Sequence, residues 1–308
     1  MANVNIQELL DNGVHFGHLT RKWNPNMAPY IYTERNGVHI IDLYKTAAKI
    51  EETSEALKKI ANSGRKILFV ATKKQAKDIV AEKAKAVNMP YITERWPGGM
   101  LTNFITIRKA VKKMATIDRM KKDGTFLTLS KKERLQVDRL RAKLEKNLGS
   151  ISDMTRLPGA LFVVDIMREH IAVKEALKLN IPIFAMVDTN SDPKQIDYVI
   201  PSNDDASKSI EAILAHVTGA VAEGLSERKS EKTAEKEGAS DAQEAAPKAE
   251  AAPKAEAAPK AEAAPKAEAA PADDLNSKTV AELKEMATAK GVEGISSMKK
   301  ADLVAALS

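Results

Sequence analysis

Residues 66–87, KILFVATKKQAKDIVAEKAKAV, decide the fold of this chain because they join a buried strand to an amphipathic helix. The first part, KILFVAT, is an apolar run without alternation, which is typical of a strand covered on both faces. The remainder, KKQAKDIVAEKAKAV, repeats apolar residues at helical spacing among lysines. A strand followed by such a helix predicts a parallel sheet with helices packed on its two faces.

The same alternation of strand and helix continues along the chain. Further apolar runs predict strands at PYIT (90–93), ALFVVD (160–165), IPIFAMVD (181–188) and 198–201. Helical periodicity predicts helices near 169–180 and 205–225. Ahead of residue 66, the sequence predicts a helix at 6–10, a β-hairpin turning at Asn36-Gly37, and a helix at 46–62. We therefore expect a doubly wound α/β domain with a small N-terminal addition.

A basic insert, residues 103–150, lies between the second and third predicted strands, and we name it the basic hairpin. From Phe104 to Leu148 it contains fourteen Lys or Arg and five Asp or Glu, so its net charge of +9 is nearly all of the +10 of residues 1–230. Apolar residues recur at threes and fours on both sides of Asp123-Gly124, and Ser130 with Glu133 has capping-box spacing. This pattern predicts an antiparallel pair of helices.

The charge of the basic hairpin has two interpretations. It could belong to a solvated packing element whose lysines only keep it soluble. On such a face, however, acids and bases usually mix in i,i+4 pairs, and here cations outnumber acids by fourteen to five. Unpaired ammonium groups are too costly to bury, and their concentrated field attracts polyanions. We therefore favour a surface that binds a polyanion.

Composition narrows the class of protein further. The 308 residues, with 44% hydrophobic content, can bury a sizeable core. The chain has no cysteine, which excludes disulfides and thiolate chemistry. Neither the N-terminal MANVNIQELLDNG nor any later segment has the apolar length of a signal peptide or membrane span. We expect a cytoplasmic protein with no membrane partner.

The sequence changes character after Ser226. Residues 227–273 are rich in Ala, Glu, Lys and Pro, and the hexapeptide EAAPKA repeats with a proline every six residues from Pro247 to Pro271. This composition predicts a disordered linker, because it offers too little apolar surface to offset the entropy of ordering. Residues 274–308 become helical again in pattern, and they predict a small two-helix module with Thr279 and Glu282 at its first cap.

Some residues could carry chemistry, and each has a plainer alternative. His15 and His18 in GVHFGH could share a metal, but no Cys or nearby acidic residue completes a ligand set, and the glycines favour a tight turn. Gly98-Gly99 resembles part of a phosphate loop without matching one, so a turn is the better interpretation. Asp165 and Asp188 follow two strands, where carboxylates could be catalytic or could cap helices. We expect no enzyme activity, no metal and no cofactor.

Two clusters combine cations with an indole ring. Arg21, Lys22, Trp23 and Asn24 offer phosphate contacts, a stacking face and an amide edge, which together suit folded RNA. A buried Trp beside an Arg that reaches the surface is the alternative. Glu94-Arg95-Trp96 repeats the combination at the exit of the second predicted strand.

A family resemblance rests on these same segments. The stretches GVHFGHLTRKWNPNMAPYIY, ERNGVHIIDLYKT, ILFVATKKQA, ERWPGGMLTNF, LPGALFVVD and VDTNSDPKQIDYVIPSNDDA, in this order, resemble the bacterial small-subunit ribosomal protein S2 family over residues 1–226. Pro158, Asp165, Glu169, Glu175 and Asn180-Ile181-Pro182 also fit the second signature of that family. Residues 274–308 resemble the helix-extended-loop-helix module at the N-terminus of transcription terminator Rho and in SAP-like domains.

The resemblance implies a flavodoxin-like sheet that is not an enzyme, with a protruding coiled-coil hairpin. Such a protein would be a structural constituent of the small ribosomal subunit that supports translation. Its implied partners are small-subunit ribosomal RNA and neighbouring proteins, including ribosomal protein S1, with mRNA or another nucleic acid at the C-terminal module. The residues expected to contact RNA are Arg21, Lys22, Trp23, Asn24, Arg95, Asn103, Arg108, Lys109, Lys112, Lys113, Lys131, Lys132, Arg134 and Arg139.

Overall fold

The computed structural model describes residues 4–244, and the predicted module at 274–308 and most of the predicted linker lie outside them. In chain order the helices and strands are α1 (Ile6–Asp11), β1 (Phe16–Leu19), β2 (Ile31–Arg35), β3 (Val38–Ile41), α2 (Leu43–Asn62), β4 (Ile67–Val70), α3 (Lys77–Ala86), β5 (Tyr91–Ile92), α4 (Phe104–Lys122), α5 (Lys131–Leu148), β6 (Ala160–Val164), α6 (His170–Lys178), β7 (Ile183–Val187), β8 (Tyr198–Pro201) and α7 (Ser207–Glu244).

Five of these strands form a parallel sheet in the order β5-β4-β6-β7-β8. From β4 the chain adds β5 on one side and then returns to add β6, β7 and β8 on the other side. This strand order is that of flavodoxin-like doubly wound folds. The segment quoted first, residues 66–87, supplies β4 at the centre of this reversal and α3 behind it. The prediction of a mixed α/β fold with a parallel sheet is confirmed.

Apolar side chains cover both faces of the parallel sheet. One cluster joins Phe69, Phe162 and Phe184 to buried residues of α2, α3 and α7. The other joins Leu68, Leu161 and residues of α6 to the ends of α4 and α5 that lie nearest the sheet. Every residue of β4, β6 and β7 is buried, which explains why these strands lack polar alternation in the sequence.

The N-terminal addition is a three-stranded antiparallel sheet in the order β1-β3-β2. The predicted β-hairpin is confirmed, and both Asn36 (φ 54°) and Gly37 (φ 74°) have the left-handed conformation that its turn requires. Strand β1 was not predicted, because the glycines of GVHFGH are typical of a turn. Gly17 instead lies in a strand, where a Cβ atom would come within 2.6 Å of Thr189, so glycine permits a close approach of backbone.

Helix α7 is longer than predicted. It begins at Ser207 and continues to Glu244, so residues 227–244 of the predicted linker are helical. No proline occurs between Ser207 and Pro247, and residues 227–244 are rich in Glu, Lys and Ala, which favour helix. Lys58 of α2 also pairs with Glu227 at 2.7 Å, and Asn62 donates to Glu231 at 3.4 Å. The boundary predicted at Ser226 therefore falls inside a helix.

The basic hairpin contains α4 and α5, connected by a turn in which Gly124 has a φ of 75°. The capping box predicted at Ser130 and Glu133 is confirmed at the start of α5. Two ion pairs connect the helices, each at 2.5 Å. In one, Arg141 of α5 pairs with Asp118 of α4, and in the other, Lys121 of α4 pairs with Asp138 of α5. Among the described helices, none has both the length and the apolar character needed to cross a membrane.

Candidate nucleic-acid interface

The cations of the basic hairpin divide into a paired and an unpaired set. Three of the fourteen make ion pairs, and these are Lys121, Arg141 and Lys146. The other eleven have no ion-pair partner among the side chains that the structure describes, which end near residue 231, and all eight of the hairpin cations proposed from sequence belong to them. Seven of those eight side chains are exposed and Arg134 is partly buried.

Most acidic side chains of the hairpin form ion pairs or hydrogen bonds within the hairpin. Arg141 contacts Asp118 and Glu145, both at 2.5 Å, and its hydrogen bond lowers the pKa of Asp118. Glu133 is held by Ser130, whose hydrogen bonds lower the pKa of the Glu133 carboxyl. The remaining surface therefore keeps its positive charge, as a polyanion-binding face requires.

Two hairpin cations also hold the local backbone. The guanidinium of Arg108 donates to the carbonyl of Thr155 at 3.1 Å, and Nε of Arg134 donates to the carbonyl of Leu129 at 3.1 Å. Each guanidinium carries five N–H donors, so a single such bond leaves others for a phosphate. Lys109, Lys112 and Lys113 make no such contact within the described part of the chain.

The stretch from Trp96 to Asn103, which we name the root loop, leads into α4. Arg95, just before it, is exposed, but Trp96 is only 6% exposed, and its Nε1 donates to Glu175 at 3.1 Å. At 94–96 the structure therefore has a buried Trp beside an exposed Arg, which was the alternative interpretation of such a cluster. Asn103 is exposed at the start of α4, where its Oδ1 accepts a hydrogen bond from the Thr106 hydroxyl at 2.8 Å.

The other cluster, Arg21 to Asn24, has a different environment. Trp23 is 38% exposed and its ring centroid lies 5.2 Å from that of His39, so part of the indole is accessible to a base. Arg21 and Lys22 are exposed. The side chain of Asn24 accepts a hydrogen bond from the backbone of Asn26 at 2.9 Å, which commits its oxygen to the turn.

The crevice at the carboxyl ends of the parallel strands, where open α/β sheets bind ligands, is filled by protein side chains. Lys73 follows β4, is 8% exposed, and places Nζ 2.7 Å from Asp204, 2.6 Å from Asp205 and 3.5 Å from Asp165. On the other side, Glu169 accepts the backbone N–H of Thr72 at 2.8 Å. We name Lys73, Asp165, Asp204 and Asp205 the strand-end network.

Burial and crowding perturb this network. Burial raises the pKa of Asp204 to about 7, with Asp165 and Asp188 adding to the effect. Burial opposes the charge of Lys73, but the hydrogen bonds that Lys73 donates to Asp204 and Asp205 outweigh it and raise the pKa of Lys73. Such pKa shifts can mark catalytic sites. Here each carboxylate of the strand-end network lies near the same lysine, so an ion-pair network within the protein explains the shifts.

His15 and His18 do not form a pair. The ring of His15 packs against Phe16 at 4.1 Å, whereas His18 faces two aspartates from distant segments. Nδ1 of His18 lies 2.9 Å from Oδ2 of Asp188, and Nε2 lies 3.4 Å from Asp205. The expectation that no acidic residue accompanies these histidines is therefore wrong for His18, because the fold brings in partners about 170 residues away.

The group formed by His18, Asp188 and Asp205 could hold a divalent cation. One ligand atom from each lies within 4.8 Å of the others. Asp188 is 1% exposed and its Oδ2, although close to His18, is not aligned with it as a hydrogen bond. The Asp188 carboxylate raises the pKa of His18, and Asp205 and Asp204 add to the effect. Asp188 also accepts the backbone N–H of Thr189 at 2.5 Å, so it has a structural role as well.

The fold and these surfaces define a class of protein, a basic α/β protein whose strand ends carry an ion-pair network of its own side chains and whose unpaired cations are concentrated on one pair of helices. The family model for ribosomal protein S2 matches residues 9–224, and that for the N-terminal domain of Rho termination factor matches residues 274–308. The chain belongs to the ribosomal protein S2 family.

Similar proteins carry the name small ribosomal subunit protein uS2. The one from Flavobacterium johnsoniae is 78% identical over 250 residues, which cover 80% of this chain and 98% of that protein. The one from Flavobacterium psychrophilum is 80% identical over 76% of this chain and 89% of its own length, and that from Parabacteroides distasonis is 66% identical over 80% and 87%. The chain is thus a structural component of the small ribosomal subunit and not an enzyme.

Proposed function

We propose that this chain binds small-subunit ribosomal RNA through the basic hairpin and through the cluster Arg21 to Asn24. The observation that carries the proposal is the set of eleven hairpin cations without an ion pair among the described residues. Arg95 and Asn103 lie at the start of the hairpin and would extend its surface toward the sheet. Trp23, with its partly open ring, would add stacking on an unpaired base.

The mechanism is electrostatic scaffolding. Each hairpin cation that neutralises a phosphate releases a counterion. A plot of log affinity against log salt concentration then has a slope of about −0.9 for each phosphate contacted on double-stranded nucleic acid. The α4 and α5 helices would form an antiparallel coiled coil that holds these cations at fixed spacing where RNA helices approach one another. The body of the protein contributes no chemistry in this scheme, which agrees with a strand-end crevice filled by its own side chains.

The domain organisation that we propose follows the two family matches. An S2 domain over residues 1–226 is extended by the rest of α7 to Glu244, a proline-rich linker follows, and residues 274–308 form the Rho-like module. On the cytoplasmic ribosome, neighbouring small-subunit proteins, including ribosomal protein S1, would contact the S2 domain. The relatives named for the small subunit support this assignment.

Co-sedimentation tests the function directly. The full chain is expected to pellet with small ribosomal subunits at physiological salt and to leave them as salt rises, because phosphate contacts are screened. A chain that remained in the supernatant at every salt concentration would contradict the proposal. That result would instead favour a free regulatory RNA-binding protein.

The Rho-like module has a separate test. We propose that it binds mRNA or another single-stranded nucleic acid, as its match to the N-terminal domain of Rho suggests. The linker from residue 245 to 273 would, as a flexible chain, span about 30 Å and raise the local concentration of the module. The full chain should bind an unstructured RNA oligonucleotide about tenfold more tightly than a chain ending at Glu244. Equal affinities would contradict this role. Truncation at Glu244 keeps the contacts of Glu227 and Glu231 with α2, so the comparison isolates the tail.

A further inference from the structure

The root loop closes around the carboxylate of Glu175, which projects from α6. Oε1 of Glu175 accepts hydrogen bonds from Nε1 of Trp96 at 3.1 Å and from the backbone N–H of Gly99 at 2.8 Å. Oε2 accepts the N–H of Leu101 at 2.9 Å, the N–H of Thr102 at 3.1 Å and the Thr102 hydroxyl at 3.3 Å. A single side chain of the body thus satisfies five donors at the entrance to α4.

The root loop binds the carboxylate of Glu175 with backbone N–H groups, as an anion-binding loop binds a phosphate. Gly99 has a φ of 82°, and the N–H groups of Gly99, Leu101 and Thr102 converge on one point ahead of the N-terminus of α4, whereas that of Met100 bonds to Pro97. Glu175 is 8% exposed, and no Lys or Arg of the described chain forms an ion pair with it, so N–H dipoles balance its charge. Burial raises the pKa of Glu175, but the donors from Leu101 and Trp96 outweigh burial and lower it. The resemblance of Gly98-Gly99 to a phosphate loop has this physical origin.

Other contacts between the basic hairpin and the body are more exposed. Glu94 pairs with Lys77 of α3 at 3.1 Å and with Lys146 of α5 at 3.2 Å, where solvent weakens the attraction. Arg108 reaches only the carbonyl of Thr155. The hydroxyl of Ser150 donates to the carbonyl of Tyr91 at a half-buried position. Among the described polar contacts that join the root loop and the basic hairpin to the body, those of Glu175 with Trp96 and Leu101 are buried.

We propose that Glu175 is a positioning residue for RNA binding, which fixes the orientation of the basic hairpin relative to the sheet so that its cations meet their phosphates together. This inference rests on the proposed function of the hairpin. The Glu175→Gln substitution tests it, because it preserves size but turns an amide donor toward two or three donors of the root loop. Glu169→Gln is a matched control, since Glu169 is also buried beside α6 and accepts a backbone N–H, but from Thr72 and not from the root loop.

The orientation itself can be measured without RNA. The chain has no cysteine, so Asp123→Cys at the hairpin turn and Lys59→Cys on α2 give two specific sites for spin labels in the full chain. The distribution of distances between the labels should be narrow in the parent and in Glu169→Gln, and clearly broader or shifted in Glu175→Gln. An unchanged distribution in Glu175→Gln would overturn the inference.

The second readout is affinity for transcribed small-subunit ribosomal RNA, at a temperature where all variants are folded. Glu175→Gln should bind about tenfold more weakly, because a hairpin that samples several directions must be ordered on binding, and Glu169→Gln should not. Equal affinity of Glu175→Gln and the parent, with a broadened label distribution, would overturn the positioning role. In that case, neutralising the hairpin lysines would still be expected to weaken RNA binding. The positioning role of Glu175 and the RNA-binding function of the hairpin can therefore be contradicted independently.

Discussion

Replacing Lys73 with methionine is expected to lower the free energy of unfolding at pH 9, where Asp204 is ionised in the parent, by about 3–5 kcal/mol, because removing one partner of a buried ion pair leaves uncompensated charge. Nζ of Lys73 contacts Asp204 and Asp205 within 2.7 Å and lies 3.5 Å from Asp165, all in the strand-end network. Methionine fills much of the same space without the ammonium, so the loss reports charge and not a cavity. Urea unfolding followed by circular dichroism measures it.

The neighbouring residue provides the control for this prediction. Lys74 is exposed, so Lys74→Met makes the same change in charge and should alter the free energy of unfolding by less than about 0.5 kcal/mol. Asp204→Asn in the Lys73→Met background removes a second charge and should recover part of the loss, by about 1–3 kcal/mol of coupling. If Lys73→Met unfolded like Lys74→Met, the strand-end network would not stabilise the fold.

The sequence could predict the sheet because the strands are buried on both faces. Runs such as ILFV and FVVD need no knowledge of their neighbours to be interpreted as strands of a parallel sheet. It could not predict β1, since the glycines around Phe16 indicate a turn, and Gly17 is required by an approach to Thr189 that exists only in the folded chain. The full length of α7 was not predicted, because the change in composition after Ser226 is typical of a linker, although no proline interrupts the chain between Ser207 and Pro247.

The sequence predicts those features of the candidate surface that depend on the local excess of cations. It does not predict those that depend on contacts between residues far apart in the chain. The excess of cations in the basic hairpin is visible in the sequence, and the eight that we chose there are all outside the ion pairs. Trp96 looked like Trp23 in sequence, but its partner Glu175 lies 79 residues away and buries it. His18 likewise meets Asp188 only through the fold. Long-range partners of this kind leave no periodic signal.

Neutralising four lysines of the basic hairpin is expected to weaken binding to small-subunit ribosomal RNA by about 10³-fold near 0.1 M salt. The variant replaces Lys109, Lys112, Lys113 and Lys132 with glutamine, all of which are exposed and without an ion pair within residues 4–244. If each contacts one phosphate on duplex, the slope of log affinity on log salt becomes shallower by about 3–4. Filter binding over a series of salt concentrations measures both quantities.

A matched variant separates this local effect from net charge. Lys59, Lys174, Lys178 and Lys208 are exposed on α2, α6 and α7, so replacing them with glutamine removes the same four charges from the body. Long-range attraction then falls equally in both variants, but only the hairpin variant loses phosphate contacts, and only it should fail to enter small subunits during assembly. If the body variant lost as much affinity and salt dependence as the hairpin variant, the RNA-binding surface would have to lie elsewhere on the domain.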